Sequence, residues 1–154
     1  GRPRKFWTLT EKGHLRFPDA HAELTAKLIG DVRRLFGEEG LDRLIAEREC
    51  DMRQSYESAL KEKTKLEERV EALAALRTRE GYMARAERDG DAMLLIEDHC
   101  PICAAAQTCQ SFCRSELSIF RMVLGADVLI ERTEYLLEGG RRCAYRIRMK
   151  ENTD

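Results

Sequence analysis

Residues 81–103, GYMARAERDGDAMLLIEDHCPIC, decide the fold predicted for this chain. Asp89-Gly90 is a strong turn signal of the kind that joins two antiparallel strands. The residues before the turn alternate weakly between polar and apolar, and residues 92–96 form an apolar run of the length of a buried strand. The stretch therefore predicts a β-hairpin that leads into a cysteine-rich loop.

A second hairpin is predicted further along the chain. Residues 128–137 and 142–149 are rich in strand-forming residues, and the Glu-Gly-Gly-Arg sequence at 138–141 supplies the turn between them. A helix is expected to span Cys113 to Leu124. Residues 81–150 therefore predict an α+β domain with a small antiparallel sheet of about four strands, one helix and a Cys-rich loop.

The chain before residue 81 is predicted to be mainly helical. Pro18 lies in the favoured first turn of a helix that runs to about Phe36, where Gly37 and Gly40 end it, and a second helix follows. Residues 57–80 contain no Gly or Pro and are rich in helix-forming residues, which predicts one long helix.

The helix at 57–80 carries a narrow apolar seam made of Leu66, Val70, Leu73 and Leu76. A narrow seam with charges beside it favours a helix that pairs with one partner, such as a second subunit. The alternative is an amphipathic helix that lies on its own domain. Residues 18–80 are accordingly interpreted as a helical linker and dimerisation region, and a homodimer is expected.

Composition and charge limit the possible partners. The chain has 154 residues, 36% of them charged, and a net charge of −1, so the whole chain has no field that would attract nucleic acid. Residues 1–16 hold five basic residues against one acidic residue, and this segment could contact phosphates. The sequence lacks a signal-peptide pattern and any apolar run of the ~20 residues that span a membrane. A cytoplasmic location is therefore expected, and the Gly1 start suggests that an N-terminal part is missing.

Five of the six cysteines lie between Cys100 and Cys143. Such clustering favours metal binding or thiol chemistry over a disulfide scaffold. Cys100 and Cys103 can converge around a tight turn at Pro101. Cys109 and Cys113 are four residues apart and would share one face of a helix. Cys113 is also expected at a helix N-terminus, where the dipole would lower the thiol pKa.

Cys143 follows the second turn and reaches the loop after Ile96 if the two hairpins are neighbours in one sheet. Four thiolates suit tetrahedral zinc, and they also suit a [2Fe–2S] or [4Fe–4S] cluster, so the spacing leaves the metal open. A redox pair formed by Cys100 and Cys103 is a further alternative, and His99 could be an additional ligand. Cys50 is distant from the other five cysteines in the sequence.

The sequence shows no nucleophile–base arrangement and no phosphate loop, so we do not expect an enzyme.

Residues at the N-terminus resemble the wing of winged helix-turn-helix regulators. The matching residues are Gly1-Arg2-Pro3, Trp7-Thr8-Leu9-Thr10 and Gly13. The resemblance implies that residues 1–17 are the end of a DNA-binding domain whose recognition helix would lie upstream of Gly1. It also implies that Arg2, Arg4 and Lys5 contact DNA phosphates or the minor groove.

The later segments resemble SufR-like repressors of the iron–sulfur assembly operon, which belong to the ArsR- or DeoR-type winged-helix regulators. The matching segments are residues 79–82, 95–97, 99–103, 113–117, 131–134 and 142–147. The resemblance implies an iron–sulfur-sensing domain of a DNA-binding transcriptional regulator, with Cys100, Cys113 and Cys143 as ligands. Cys103 is the best fourth ligand and Cys109 a reserve. The alternative is a zinc-stapled or V4R-like ligand-binding or interaction module of a transcriptional regulator.

Overall fold

Helices and a four-stranded antiparallel sheet make up the described residues, which are 4–14, 16 and 19–150 of a computed structural model. The helices are α1 (Glu11–His14), α2 (His21–Leu60), α3 (Leu66–Arg79), α4 (Cys103–Thr108) and α5 (Ser111–Leu124). The strands are β1 (Ala84–Asp89), β2 (Ala92–Glu97), β3 (Val128–Glu134) and β4 (Cys143–Met149), with a short 3-10 turn at Leu136–Glu138. The predicted α+β class and the antiparallel sheet are confirmed.

The two predicted hairpins are neighbours in one sheet of order β1-β2-β4-β3. β1 pairs with β2 through the turn at Asp89-Gly90, and β3 pairs with β4. The central contact joins the second strand of each hairpin, because Leu95 pairs with Tyr145 and Glu97 pairs with Cys143. This pairing brings the loop after β2 next to the start of β4.

One face of the sheet packs against α3 and α5 and forms the main core. Leu95, Tyr145 and Ile147 from the sheet are buried against side chains from both helices, among them Val70, Leu73, Ile119, Phe120 and Leu124. Each large apolar side chain buried in this way stabilises the fold by about 1.5–3 kcal/mol. The α3 helix and the sheet therefore share one core.

The helix predicted at residues 57–80 is interrupted. α2 ends at Leu60, and α3 begins at Leu66 after Lys65 in an extended conformation. Residues 61–65 are charged or polar and exposed, so no apolar side chain holds this segment against the domain. Val70 and Leu73 are buried within the chain itself. The prediction of a dimerisation-type helix is therefore wrong, and the alternative of a helix lying on its own domain is the observed arrangement.

The predicted break between two N-terminal helices occurs at Gly37, inside α2. Its backbone has φ 73° and ψ −176°, while helical turns continue on both sides. Only glycine adopts this region without strain, because any Cβ clashes with the backbone there. Gly37 thus sets the direction in which the second half of α2 runs.

Alanine substitutions at two glycines of α2 are expected to change the free energy of unfolding in opposite directions. We expect Gly37→Ala to lower the free energy of unfolding by about 1–3 kcal/mol, since alanine is strained at this backbone conformation. We expect Gly30→Ala to raise it by about 0.5–1 kcal/mol, because alanine favours the helix and nothing lies within 4 Å of an added Cβ at that position. Urea unfolding followed by circular dichroism measures both, and equal effects of the two changes would contradict the assigned kink.

The wing predicted at residues 1–17 is not observed. Residues 4–10 have no regular secondary structure, and Phe6 and Trp7 are 88% and 92% exposed. No strand among the described residues lies beside this segment to pair with it. Arg4 and Lys5 are exposed. Residues 1–3, with Arg2, and the helix start at Pro18 lie outside the described residues.

No helix in the described part of the chain is long and apolar enough to cross a membrane. The long α2 carries charged residues throughout its length. The boundaries predicted for residues 1–17, 18–80 and 81–150 stay predictions.

Candidate thiol site at the end of the sheet

The helix-facing side of the sheet changes from apolar to polar at one end. Side chains alternate along a strand, so the register places Met93, Leu95 and Glu97 of β2 on the same face. Cys143 pairs with Glu97 on this face, and Arg132 of β3 pairs with Tyr145. Glu97, Cys143 and Arg132 therefore form a polar end to a face that is otherwise part of the core.

Helix α5 places Cys113 and Glu116 over this polar end. The two residues are three apart and share one face of the helix. Both are buried, at 7% and 4% exposure. Arg132 Nη2 donates a hydrogen bond to the carbonyl oxygen of Cys113 at 3.1 Å, which ties α5 to β3.

The loop after β2 supplies Cys100 and Cys103. The backbone N–H of Cys103 donates to the carbonyl oxygen of Cys100 at 3.3 Å, and this closes the tight turn predicted around Pro101. Both cysteines are half-buried. They line a cleft of about 380 Å³, together with His99 and with Asp19 and His21 near the start of α2. Cys100 and Cys103 are thus reachable from solvent.

Burial raises the pKa of three thiols of the site. It raises the pKa of Cys100 to about 12, and neighbouring Glu116 and Cys113 add to the effect. Burial also raises the pKa of Cys113 and of Cys143, although a hydrogen bond with Tyr135 partly opposes the rise at Cys113. The low pKa expected for Cys113 at a helix N-terminus is therefore wrong, because burial outweighs the dipole.

The three thiols of Cys100, Cys113 and Cys143 lie in one neighbourhood. Cys113 contributes to the raised pKa of Cys100 and to that of Cys143, so it is close to both. Within residues 4–14, 16 and 19–150, no three Cys, His, Asp or Glu side chains are arranged to hold a metal ion as they stand. A protonated thiol is a poor nucleophile, so the raised pKa of Cys100 disfavours the redox alternative for Cys100 and Cys103.

Cys109 lies elsewhere in the fold. It caps α4 in an extended conformation, so it does not share a helix face with Cys113. It is buried in a second apolar cluster with Ile29, Leu41, Ile45, Ala105 and Phe112. Cys50 lies in α2, where Gln54 Nε2 is 3.6 Å from its sulfur.

A buried ion network supports the thiol site, and the sequence analysis missed it. Arg77 is 0% exposed, and its Nε donates to Glu97 Oε1 at 2.6 Å while its Nη2 donates to Glu116 Oε2 at 3.1 Å. Its guanidinium also lies 3.3 Å from the centre of the Tyr82 ring. The sequence contains one indication of this network. Arg77 lies four residues after Leu73 and therefore falls on the apolar face of α3.

Glu97 and Glu116 differ in the hydrogen-bond donors that stabilise their charged forms. Glu116 accepts hydrogen bonds from Arg77, from Arg48 at 3.0 Å and from the Tyr82 hydroxyl at 2.5 Å. Burial opposes its ionisation, but these donors outweigh burial and hold its pKa below the ordinary value. Burial raises the pKa of Glu97, which Arg77 only partly offsets. Glu116 is therefore a carboxylate beside the thiols, and its charge favours a cation there.

Comparisons with known proteins show what this fold is similar to. No protein-family model matches the sequence, and no curated protein matches it significantly. Among solved structures, the chain is similar to subunit 3 of the trafficking protein particle complex from Naegleria fowleri, covalently bound to palmitic acid. The likeness covers 84% of this chain and 95% of that chain, with a TM-score of 0.50 and 15% sequence identity.

The likeness corrects the interpretation as a SufR-like regulator. The fold matches that of a trafficking complex subunit, and the described residues contain no winged-helix element. The predicted iron–sulfur-sensing domain of a DNA-binding transcriptional regulator is therefore wrong, and so is the assignment of the zinc-stapled or V4R-like alternative to a transcriptional regulator. DNA contacts by Arg2, Arg4 and Lys5 have no support. At 15% identity, the chain shares with the trafficking subunit its fold.

Proposed function

We propose that this chain is a metal-binding module whose thiolates come from Cys100, Cys113 and Cys143, with Cys103 as the fourth ligand. The proposal rests on the meeting of these three cysteines, from the loop after β2, from α5 and from β4, at the polar end of the sheet. Cys109 is a weaker candidate because it is buried in the second apolar cluster.

The surroundings of the thiols fit a cation. Cysteine sulfur binds a metal as thiolate, and binding releases the thiol proton. Glu116 places negative charge at the site, while the cleft at Cys100 and Cys103 gives a metal a route from solvent. Ligation would require the side chains to turn towards a common point. Zinc would act by tying the loop to β4, whereas a [2Fe–2S] or [4Fe–4S] cluster would add redox chemistry.

Metal content of cysteine variants tests the proposal. We expect the full chain, purified and reconstituted without oxygen, to retain metal, and we expect Cys113→Ala and Cys143→Ala to lose it. Each removes one of the three thiolates that the proposal places at the polar end of the sheet. Cys50→Ala is the matched control and should keep the wild-type content. Full metal content in the Cys143→Ala chain would rule out a site that joins α5, the loop and β4.

The same samples identify the metal. Iron with acid-labile sulfide and visible charge-transfer absorption would indicate a cluster, and its loss should leave most of the fold intact. Stoichiometric zinc without sulfide would indicate a structural ion, and its chelation should unfold the module. A wild-type chain that holds neither after both reconstitutions would disprove the proposed metal centre.

A second candidate function is the binding of an amphiphilic carboxylate. A groove of about 320 Å³ lies between α2 and the α4–α5 region, with walls that include Leu28, Ile29, Val32, Ile102 and Phe112. Arg48 also lines this groove, and its Nη1 atom is buried without a hydrogen-bond partner among the described residues. An apolar groove with a free arginine donor suits a fatty acid, and the trafficking subunit with the similar fold carries palmitic acid covalently.

Calorimetric titration with palmitic acid tests the groove. We expect the wild-type chain to bind palmitic acid more tightly than the corresponding alcohol, because only the acid can pair with Arg48. Leu28→Asp should weaken binding at least tenfold by placing a charge in the apolar wall. Leu35→Asp is the control, since Leu35 is exposed on the same helix but does not line the groove. Equal binding by both variants would contradict the assignment.

Assembly with other protein chains is a further part of the proposal. Leu24, Leu28, Leu35, Phe36 and Leu44 are large exposed apolar side chains of α2, and such a stripe favours contact with a protein partner. The similar solved structure is a subunit of a complex. The homodimer, the cytoplasmic location and the absence of enzyme activity stay predictions.

A further inference from the structure

Arg132 of β3 lies in the thiol site, next to both α5 and β4. It lies on β3 opposite Tyr145, on the sheet face that also carries Cys143 two residues earlier in β4. Its Nη2 donates to the carbonyl oxygen of Cys113 at 3.1 Å. The guanidinium therefore lies where α5 and β4 each contribute one of the proposed ligands.

Aromatic rings hold the Arg132 guanidinium in place. Its central carbon lies 4.1 Å from the centre of the Tyr135 ring and 5.4 Å from that of Tyr145. Cation–π contacts of this kind fix the plane of the guanidinium without using its N–H donors. The orientation is therefore set by stacking and by one backbone hydrogen bond.

One donor of Arg132 has no acceptor among the described residues. Its Nε is buried and has no hydrogen-bond partner in the described part of the chain. A buried N–H without an acceptor destabilises the folded state. Such groups are rare in native proteins, and a functional role is one explanation for them. The Cys143 sulfur lies near the Arg132 guanidinium, as do the hydroxyl groups of Tyr135 and Tyr145.

We propose that Arg132 is a positioning residue for the metal centre and that its free Nε–H donates a hydrogen bond to a metal-bound thiolate of Cys143 or Cys113. This inference rests on the proposed metal-binding function. Metal binding converts a neutral thiol, which is a weak acceptor, into a thiolate, which is a strong one. The donor stabilises the charge on sulfur and fixes the direction of the ligand.

Variants of Arg132 in the full chain test the inference, with Co²⁺ and with Fe²⁺ plus sulfide as probes under anaerobic conditions. Arg132→Gln removes the cation and the Nε donor, and we expect metal affinity to fall about 10- to 100-fold, as is typical for partners of metal ligands. Loss of a hydrogen-bond donor to the thiolate raises the energy of the electrons on sulfur. The sulfur-to-metal absorption band of any remaining centre should therefore move to longer wavelength.

Two controls separate positioning from a merely structural role. Arg132→Lys keeps the charge without the planar donor, and it should restore part of the affinity but not the band position. Arg146→Gln removes a cation from β4 whose partners are the exposed Asp89 and Asp91, and it should leave affinity and band unchanged. Circular dichroism of each metal-free variant reports folding separately from binding.

The outcomes distinguish the inference from the function on which it rests. A wild-type chain that binds neither probe overturns the metal centre and this inference with it. If the wild-type chain binds metal and a folded Arg132→Gln chain has the same affinity and the same band, only the role of Arg132 is overturned. Reduced affinity with a shifted band in Arg132→Gln, and neither change in Arg146→Gln, supports the inference.

Discussion

Replacing Arg77 by methionine is expected to lower the free energy of unfolding by about 3–5 kcal/mol, because it leaves buried carboxyl groups without their cation. Arg77 is 0% exposed and makes ion pairs with Glu97 at 2.6 Å and with Glu116 at 3.1 Å. Methionine fills a similar volume, so the cost comes mainly from charge and hydrogen bonding. Urea unfolding at neutral pH, followed by circular dichroism, measures the change.

The matched control for Arg77 is Arg146→Met. Arg146 also has two acidic partners, Asp89 at 3.0 Å and Asp91 at 3.4 Å, but these pairs are exposed to solvent. Exposed ion pairs contribute little, because water solvates the separated charges almost as well. The control should therefore leave stability nearly unchanged. A loss in Arg77→Met no larger than that in Arg146→Met would mean that the network is not buried as described.

Truncating Phe120 to alanine should also cost about 3–5 kcal/mol, through lost apolar contacts and the cavity that remains. Phe120 is 0% exposed in the core between α5 and the sheet. Its ring meets Tyr145 edge-on, with centroids 5.4 Å apart and planes at 85°. Its ring centre also lies 5.1 Å from the guanidinium of Arg77. The change therefore removes a contact shared by the core and the ion network.

Met122→Ala is the control for Phe120, since Met122 lies two residues away in α5 with 49% of its surface exposed. Substitution of an exposed side chain usually changes stability by less than about 0.5 kcal/mol. Both variants should keep the wild-type slope of free energy against urea, because the unfolded chain exposes similar surface. A comparable loss in the two variants would contradict the burial assigned to Phe120.

The local parts of the fold were predictable from sequence. Asp89-Gly90 and Gly139-Gly140 are turn signals with few alternatives, and the strands beside them follow from short apolar runs. The same is true of the break at Gly37, where a glycine interrupts a helical pattern. These features depend on residues close together in the chain, and that is why the hairpins and the two halves of α2 were found.

Features that depend on tertiary contacts were not predictable in the same way. The seam at Val70 and Leu73 has the same pattern whether it covers a partner chain or the chain's own sheet. Glu97 and Glu116 are spaced like solvated surface residues, and only the fold shows that Arg77 buries them. Residues 5–9 have the composition of a strand, but no neighbouring strand is present among the described residues to make it one.

The spatial grouping of the candidate thiols was predicted in part. The grouping of Cys100, Cys113 and Cys143 in one neighbourhood follows from the adjacency of the two hairpins, which sequence analysis stated as a condition. The prediction of a low pKa for Cys113 was wrong because burial raises the pKa of this thiol. Burial depends on the packing of the whole core and cannot be read from local sequence. The spacing of Cys109 and Cys113 suggested one helix face, but the chain leaves the helix at Cys109 and begins α5 at Ser111.

The pairing of Glu97 with Cys143 has a consequence for folding. It joins two hairpins that are separated in the chain by α4 and α5, and long-range pairing of this kind is slow because the intervening chain must be ordered first. The thiols of the loop after β2 and of β4 therefore meet only after the central strands have docked. A metal bound across them would select the docked state by mass action and stabilise the whole sheet. Metal occupancy would then report on complete folding of the domain, and an incompletely folded chain would hold the same cysteines without a site.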